Sequence, residues 1–203
     1  MPVITTANLK THLGISDSVD DTTLGYAVNS TNKAIVNYCG RNFDKVAEAS
    51  ETARSFPADN SGLCRVDDFW STLNLVVKTD DNGDGTFETT WTIGTDLILE
   101  PLNGLVNGQA WPYCRIVGTG TRSFPCLVSR PGVQVTAAWG WTATPDDVFE
   151  AALIKAARTF KRKSSPEGVL GGLAGSESVR ISRFEDPDVV DLLAPYVKHL
   201  GYF

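Results

Sequence analysis

The residues with the clearest potential for chemistry are the acidic and amide side chains of the segment DDNGDGTFE, residues 80–88. Asp80, Asn82 and Asp84 stand at the first, third and fifth positions of an EF-hand calcium loop, and a glycine follows. The twelfth position, where an EF-hand has a bidentate glutamate, is Trp91. The Asn-Gly and Asp-Gly pairs are also typical of a hairpin turn between strands. The segment therefore has two interpretations, a hairpin tip and a weak calcium site.

No other set of side chains in the sequence forms a recognisable catalytic site. Gly118 and Gly120 begin a phosphate-binding glycine pattern, but no helix signal follows them. The sequence has no G-x-S-x-G nucleophile motif, and neither His12 nor His199 has an evident partner. The cysteines have no CxxC spacing, which predicts free and mostly buried thiols. We therefore expect a protein that is not an enzyme and that needs no metal or other cofactor.

Charge is unevenly distributed along this chain of 203 residues, whose net charge is −6. The stretch from Asp80 to Glu100 is acidic and has no Lys or Arg, whereas the stretch from Lys155 to Lys163 is mostly basic. The acidic total argues against tight, sequence-independent DNA binding. The basic stretch has three interpretations: a solvated helix end, an interface with an acidic protein surface, and a DNA contact. No signal-peptide core or membrane-length apolar run is seen, so we expect synthesis and retention in a cytosol.

The element that must present the basic stretch is a helix predicted over residues 144–163, TPDDVFEAALIKAARTFKRK. Thr144 is a candidate N-cap, Pro145 suits the first helical position and Asp147 completes a capping-box spacing. One apolar stripe follows helical spacing: Phe149, Ala152, Leu153, Ala156 and Phe160. A strand is predicted just before this helix, over residues 133–139.

The remaining elements predict an α+β fold. Two helices are expected near the N-terminus, at residues 5–14 and 22–39, and a short helix is expected from Asp186. Between them the pattern is that of an antiparallel sheet, with strands expected at 53–56, 63–66, 73–79, 87–92, 98–102, 113–117 and 133–139. We therefore predict a helical core of residues 1–40 and 143–203 with a large β insert at 41–142. The Gly-rich loop 167–178 is either a linker or a segment that orders on binding a partner.

Several stretches of the sequence together resemble the head-to-tail connector (adaptor) proteins of long-tailed bacteriophages, in the form seen in phages of actinobacteria. They are TTANLKTHLGI, IVNYCGRNF, DDNGDGTFE with LILEPLN, VQVTAAWGWTATPDDV, and FKRKSSPEGVLGG with VRISRFEDPDV. The resemblance spans nearly the whole chain, and WGW followed by PDDV and the basic helix is its most specific part. The family also has compact all-helical members, so the β insert departs from its simplest form.

The resemblance implies a structural virion protein of the neck, between capsid and tail, that is made in the host cytoplasm. Such adaptors form a ring, usually of twelve subunits, beneath the portal. They extend the DNA channel, receive the next ring and help to retain the packaged genome. The implied partners are other copies of the chain, the portal protein, a stopper or tail-terminator protein, and double-stranded DNA that passes without specific binding. No membrane partner is expected.

A closed ring repeats one heterologous interface, so each subunit needs two different complementary surfaces. We expect the acidic and basic stretches to face each other between neighbouring subunits, or one of them to face the portal. The tail could dock on the portal and order as it binds. The candidate interface residues are Asp81, Asp84, Lys155, Arg158, Lys161, Arg162, Lys163, Gly171, Gly172, Tyr196, Leu200, Tyr202 and Phe203.

The alternative to a connector is a stand-alone binding module without enzymatic activity. In that interpretation the β insert recognises calcium, a glycan or a protein. A native mass measured with and without the portal protein separates the two hypotheses, because only the connector should form a ring.

Overall fold

The computed structural model of the chain describes residues 2–59, 62–120, 122–127, 130–164 and 186–198. Within these residues the chain forms four α-helices and eight β-strands, which confirms the predicted α+β class. The chain divides into two compact units. The helical unit consists of Met1–Arg41 and Thr144–Phe203, and the β unit is Asn42–Ala143.

The helical unit is built around its third helix. The helices are α1, Thr6–Leu13; α2, Asp21–Cys39; α3, Asp146–Lys161; and α4, Pro187–Leu193, with short 3-10 turns at Arg162–Ser164 and Ala194–Tyr196. α3 contacts α1, α2 and α4. Its buried positions are mostly small, which lets the neighbouring helices approach closely: Val148, Ala151, Ala152, Leu153, Ala156 and Ala157. Phe149 and Phe160, predicted on the apolar stripe, are only half-buried.

Helix starts follow local capping chemistry in α1 but not in α3. The Thr5 side chain accepts a hydrogen bond from the backbone N–H of Asn8, and the Asn8 side chain accepts one from the Thr5 N–H, a reciprocal capping box. The prediction that Thr144 caps α3 is wrong. Pro145 is the N-cap, in an extended conformation, and its carbonyl accepts the first helical hydrogen bond from Phe149, 2.9 Å away. The helix therefore starts one residue later, without a side-chain cap.

The β unit is one antiparallel sheet with a small separate hairpin. The strands are β1, Thr52–Phe56; β2, Leu63–Thr79; β3, Thr89–Trp91; β4, Leu97–Glu100; β5, Leu105–Val106; β6, Gln109–Ala110; β7, Tyr113–Gly118; and β8, Val133–Trp139. The sheet order is β1-β8-β2-β7-β4, β3 pairs with β2, and β5 pairs with β6 in a second, two-stranded sheet. The strands at 63–66 and 73–79, predicted separately, are one long strand, β2.

β2 is one continuous strand because it bends at β-bulges and other irregular positions rather than ending there. Its register against β7 and β8 shifts at several points between Arg65 and Val76, and Asn74 has a φ of 56°. The shifts let one strand pair with β7 over Leu63–Phe69, with β8 from Phe69 onward, and with β3 at its end. The same shifts break the alternation of apolar residues, which is why the sequence pattern indicates two strands.

The WGW motif at the end of β8 is closely packed in the interior of the β unit. Gly140 has a φ of 101°, and a Cβ there would lie 1.5 Å from the carbonyl oxygen of Asp44, so only glycine fits. The indole N–H of Trp141 donates to the buried carboxylate of Asp68 at 2.9 Å. The indole N–H of Trp139 donates to the Thr52 carbonyl at 2.8 Å. Both tryptophans thus bury their rings while their polar atoms stay hydrogen-bonded.

Candidate interaction surfaces

The 80–88 segment connects β2 to β3, whose antiparallel pairing confirms a hairpin connection. One carboxylate organises the loop. Asp80 is fully buried, and its Oδ1 accepts hydrogen bonds from the backbone N–H groups of Gly83 at 2.6 Å and Asp84 at 3.2 Å. Its Oδ2 accepts a third from Gly85 at 2.8 Å. The loop is therefore wrapped around Asp80 and is wider than a two-residue turn.

The other oxygen atoms of this loop are also engaged locally. Asp81 accepts from the hydroxyl groups of Thr79 at 2.7 Å and Thr89 at 2.6 Å. The Asn82 amide donates to Glu88 at 3.0 Å and to Asp84 at 3.2 Å. In a calcium loop these oxygens converge on the ion. In the part of the chain that the structure describes, no group of three or more His, Cys, Asp or Glu side chains is placed to hold a metal ion.

The end of this loop presents negative charge to solvent. Hydrogen bonds from the hydroxyls of Thr89 and Thr79 hold the pKa of Asp81 below its usual value. The backbone N–H of Thr86 lowers the pKa of Asp84 in the same way. Asp81 and Asp84 are exposed and ionised at neutral pH, and Glu88 is exposed beside them. We call Asp81, Asp84 and Glu88 the acidic tip.

The rest of the acidic stretch is neutralised inside the β unit. Asp96 pairs with Arg122 at 2.6 Å, and Glu100 pairs with Arg115 at 3.2 Å. Both carboxylates are half-buried. The predicted acidic surface of residues 80–100 therefore contracts to the acidic tip.

Part of the basic stretch likewise forms ion pairs within the helical unit. Arg158 forms an ion pair with Asp186, the N-cap of α4, and Lys163 pairs with Asp20, the N-cap of α2, at 2.6 Å. A carboxylate at a helix N-terminus is also favoured by the helix dipole. These bonds hold the end of α3 to the starts of α2 and α4. Lys155, also a candidate, is half-buried on α3.

Two basic residues remain as a free surface. Lys161 and Arg162 are exposed, and no carboxylate among the described residues forms an ion pair with either. We call this pair the basic end. It lies at the junction of α3 and the following 3-10 turn. Of the five predicted basic candidates, these two are best placed to meet a partner.

Tyr196 is an internal anchor of the helical unit. Its side chain is 4% exposed, its hydroxyl donates to Asp147 at 3.2 Å, and its carbonyl accepts from Arg41 Nε at 2.8 Å. Burial, followed by the nearby Asp147 carboxylate, raises the pKa of Tyr196 to about 12. Lys198 also holds this segment to the helical unit, because its backbone N–H donates to the Cys39 carbonyl at 2.7 Å. The other predicted tail and loop candidates, Gly171, Gly172, Leu200, Tyr202 and Phe203, lie outside the described residues.

No pattern in the sequence predicts one exposed apolar surface of the β unit. Leu102 and Leu105, next to and within the small β5–β6 hairpin, are 61% and 47% exposed. The signal that points to this hairpin is the Asn107-Gly108 pair, a preferred sequence for a tight turn. Two-residue strands are too short to show alternation, so the hairpin was not predicted.

No helix in the described part of the chain is long and apolar enough to cross a membrane.

The comparisons with known proteins give evidence on the fold of the chain. No family model matches the chain, and no curated protein matches it. Among solved structures, the chain is similar to one from the neck of an empty gene transfer agent (GTA) particle, computed with C6 symmetry. The two share 16% sequence identity with a TM-score of 0.54, and the match covers 98% of this chain and 93% of that chain. The chain therefore shares its α+β fold with a chain from the neck of a GTA particle.

Proposed function

We propose that this chain is a structural protein of the neck of a phage-like particle. In this role, copies of the chain form a closed ring between the portal and the stopper or tail. The ring extends the DNA channel and helps to retain the packaged genome. The role is structural rather than catalytic, and its place is the virion.

The observation that carries the proposal is the extent of the structural likeness. The match to the GTA neck chain spans 98% of this chain, so it takes in the helical unit and the β unit together. That neck was computed with C6 symmetry. A ring with a six-fold axis is built by repeating one heterologous interface. We propose a ring of twelve subunits, the number that the family resemblance implies, and such a ring contains a six-fold axis.

The charge distribution fits passage of DNA through such a ring. The net charge is −6, and among the described basic residues Arg158 and Lys163 are neutralised within the helical unit. Binding of DNA that ignores sequence depends on many Lys and Arg contacts to phosphates. A chain whose net charge is negative does not grip the duplex tightly, so the genome can slide.

The test is the native mass of the purified chain, alone and after mixing with the portal protein of the same genome. We expect a ring of about twelve times the subunit mass of 21.9 kDa, alone or bound to the portal. A chain that remains monomeric in both conditions would overturn the proposal. That result would favour the binding module, and a screen of calcium, glycans and proteins against the β unit would follow.

A further inference from the structure

The exposed side of α2 carries a line of polar side chains. Five of its exposed residues follow one another at intervals of three or four, so they are neighbours along one side of the helix: Thr22, Tyr26, Asn29, Lys33 and Asn37. At 1.5 Å per residue the line is about 22 Å long. We call these five residues the polar stripe.

Every side chain of the polar stripe can donate a hydrogen bond. The stripe has two hydroxyls, two amides and one ammonium group, and it has no carboxylate. Within the described part of the chain, none of the five side chains forms a hydrogen bond or an ion pair. Ser30, exposed beside them, differs because its hydroxyl donates to the Ala27 carbonyl at 3.1 Å. The stripe therefore presents unused donors to whatever lies next to α2.

Helix stability does not account for the residue types of the stripe. At exposed helix positions, where packing does not decide, strong helix formers such as Ala, Glu, Lys, Gln and Arg are favoured. Four of the five stripe residues are Thr, Tyr or Asn, which are weaker helix formers. A departure from local preference that gains no packing is typical of a functional surface.

The surroundings of the stripe are poor in negative charge. Residues 22–43 contain no Asp or Glu. The two carboxylates just before them are neutralised, since Asp20 pairs with Lys163 at 2.6 Å and Asp21 pairs with Lys10 at 2.7 Å. The other two long or late helices, α3 and α4, expose carboxylates instead: Asp146, Asp147, Glu150, Asp188 and Asp191. Of these three helices, α2 is therefore the one whose exposed side suits an anionic partner.

We propose that the polar stripe faces the DNA in the channel of the ring and contacts its phosphate backbone. The inference rests on the proposed ring function and deepens it. Phosphate oxygens accept hydrogen bonds, and Thr, Tyr, Asn and Lys side chains commonly donate to them without reading the base sequence. Because each copy contributes a single cation, the contact is weak and lets the duplex slide. A protein partner fits less well, since the cores of protein interfaces are rich in apolar and aromatic side chains and poor in Lys.

Cross-linking identifies the molecule that the stripe touches. A photoreactive phenylalanine analogue replaces Tyr26, which is 71% exposed, and is activated in DNA-filled particles that carry the substituted chain. The matched control has the analogue at Glu150, an exposed position on α3. We expect protein–DNA products from position 26 and none from position 150. Products that join position 26 only to protein would overturn the proposal and identify the stripe as a protein interface.

Added charge tests whether the stripe lies inside the ring. Asn29→Lys with Asn37→Lys raises the net charge by two, and Glu150→Gln with Asp191→Asn is the matched control, because it changes the net charge equally on other helices. All four positions are exposed. Preassembled rings, alone or bound to the portal protein, are mixed at about 50 mM salt with a linear plasmid or with its covalently closed circle. Only linear DNA has an end that can enter a closed ring, so the stripe variant should retain at least about tenfold more linear than circular DNA. The control should retain little of either.

The outcomes separate this inference from the proposed function. If the stripe variant forms rings that retain linear and circular DNA alike, the added lysines lie outside the channel, and the inference falls while the ring function stands. If the stripe variant keeps a cooperative melt but loses ring assembly, the stripe belongs to a subunit contact and the inference also falls. If the unmodified chain forms no ring in either condition, the ring function fails and the inference fails with it.

Discussion

At the scale of single residues, Asp80 shows how a side chain that suggests metal chemistry can serve loop structure. Its two carboxylate oxygens accept three backbone N–H groups of its own loop. The N–H groups of a wide loop need partners when water is excluded, and a carboxylate satisfies several at once. The Asp and Gly spacing of the segment therefore follows from this wrapping, since Gly83 and Gly85 both have positive φ.

Replacing Asp80 with alanine should destabilise the β unit by about 2–4 kcal/mol. The substitution removes three charge-assisted hydrogen bonds that hold the loop, and of the three N–H groups only that of Asp84 keeps another acceptor among the described residues, the Asn82 side chain. Urea unfolding followed by tryptophan fluorescence measures the loss. Glu88→Gln, at an exposed position in the same loop, is the control and should change the unfolding midpoint little. An unchanged midpoint for Asp80→Ala would show that the loop does not depend on this carboxylate.

Asp81 should make stability depend on acid pH. The hydroxyls of Thr89 and Thr79 lower the pKa of Asp81 in the folded chain. A lowered folded-state pKa means that the stabilisation is complete above the unfolded-state value of about 3.9 and is lost as pH falls through the folded-state pKa. Urea midpoints of the unmodified chain and of Asp81→Asn should therefore differ most at neutral pH and converge in acid. A difference that stays constant with pH would contradict this role.

At the scale of elements, α2 is held by packing rather than by helix propensity. It contains Asn29, Asn32 and Asn37, which are poor helix formers, but Leu24 and Ile35 on its inner side are fully buried. Ile35→Asp puts an unpaired charge in this core and should cost more than about 4 kcal/mol, enough to unfold the helical unit. Far-UV circular dichroism during a thermal melt tests it. Asn29→Asp, on the exposed side of α2, should melt as the unmodified chain does.

The elements that sequence predicted well are those whose signals are local. α1 has its cap, its periodicity and its terminal Gly14 within ten residues, and the structure has all three. The sequence predicts β2 as two strands because its bulges interrupt the alternation, and it does not predict the β5–β6 hairpin because those strands are two residues long. The candidate surfaces were harder to predict for a different reason. Lys163 pairs with Asp20, 143 residues away in the sequence, and only the folded chain shows that the charge of this exposed lysine is paired.

At the scale of the whole molecule, folding reduces the separated charge blocks to two small surfaces. The acidic tip belongs to the β unit, and the basic end, Lys161 and Arg162, belongs to the helical unit. We propose that the tip of one subunit meets the basic end of its neighbour, as one part of the repeated contact of the ring. Charge pairs between exposed side chains are screened by salt, so this part of the contact should weaken as ionic strength rises.

Charge reversal tests this pairing in the assembled ring. Lys161→Glu with Arg162→Glu should weaken ring assembly, because like charges then face each other at every subunit contact. Adding Asp81→Lys and Asp84→Lys in the same chain should restore it, and both effects should shrink at about 1 M salt, where the Debye length is about 3 Å. Native mass at equal subunit concentration gives the fraction of subunits in rings. Because Asp81 and Asp84 also accept hydrogen bonds within their loop, a thermal melt must show that the variant substituted at these residues is folded. Normal assembly of the Lys161 and Arg162 double variant without the compensating change would show that the basic end meets something other than the acidic tip.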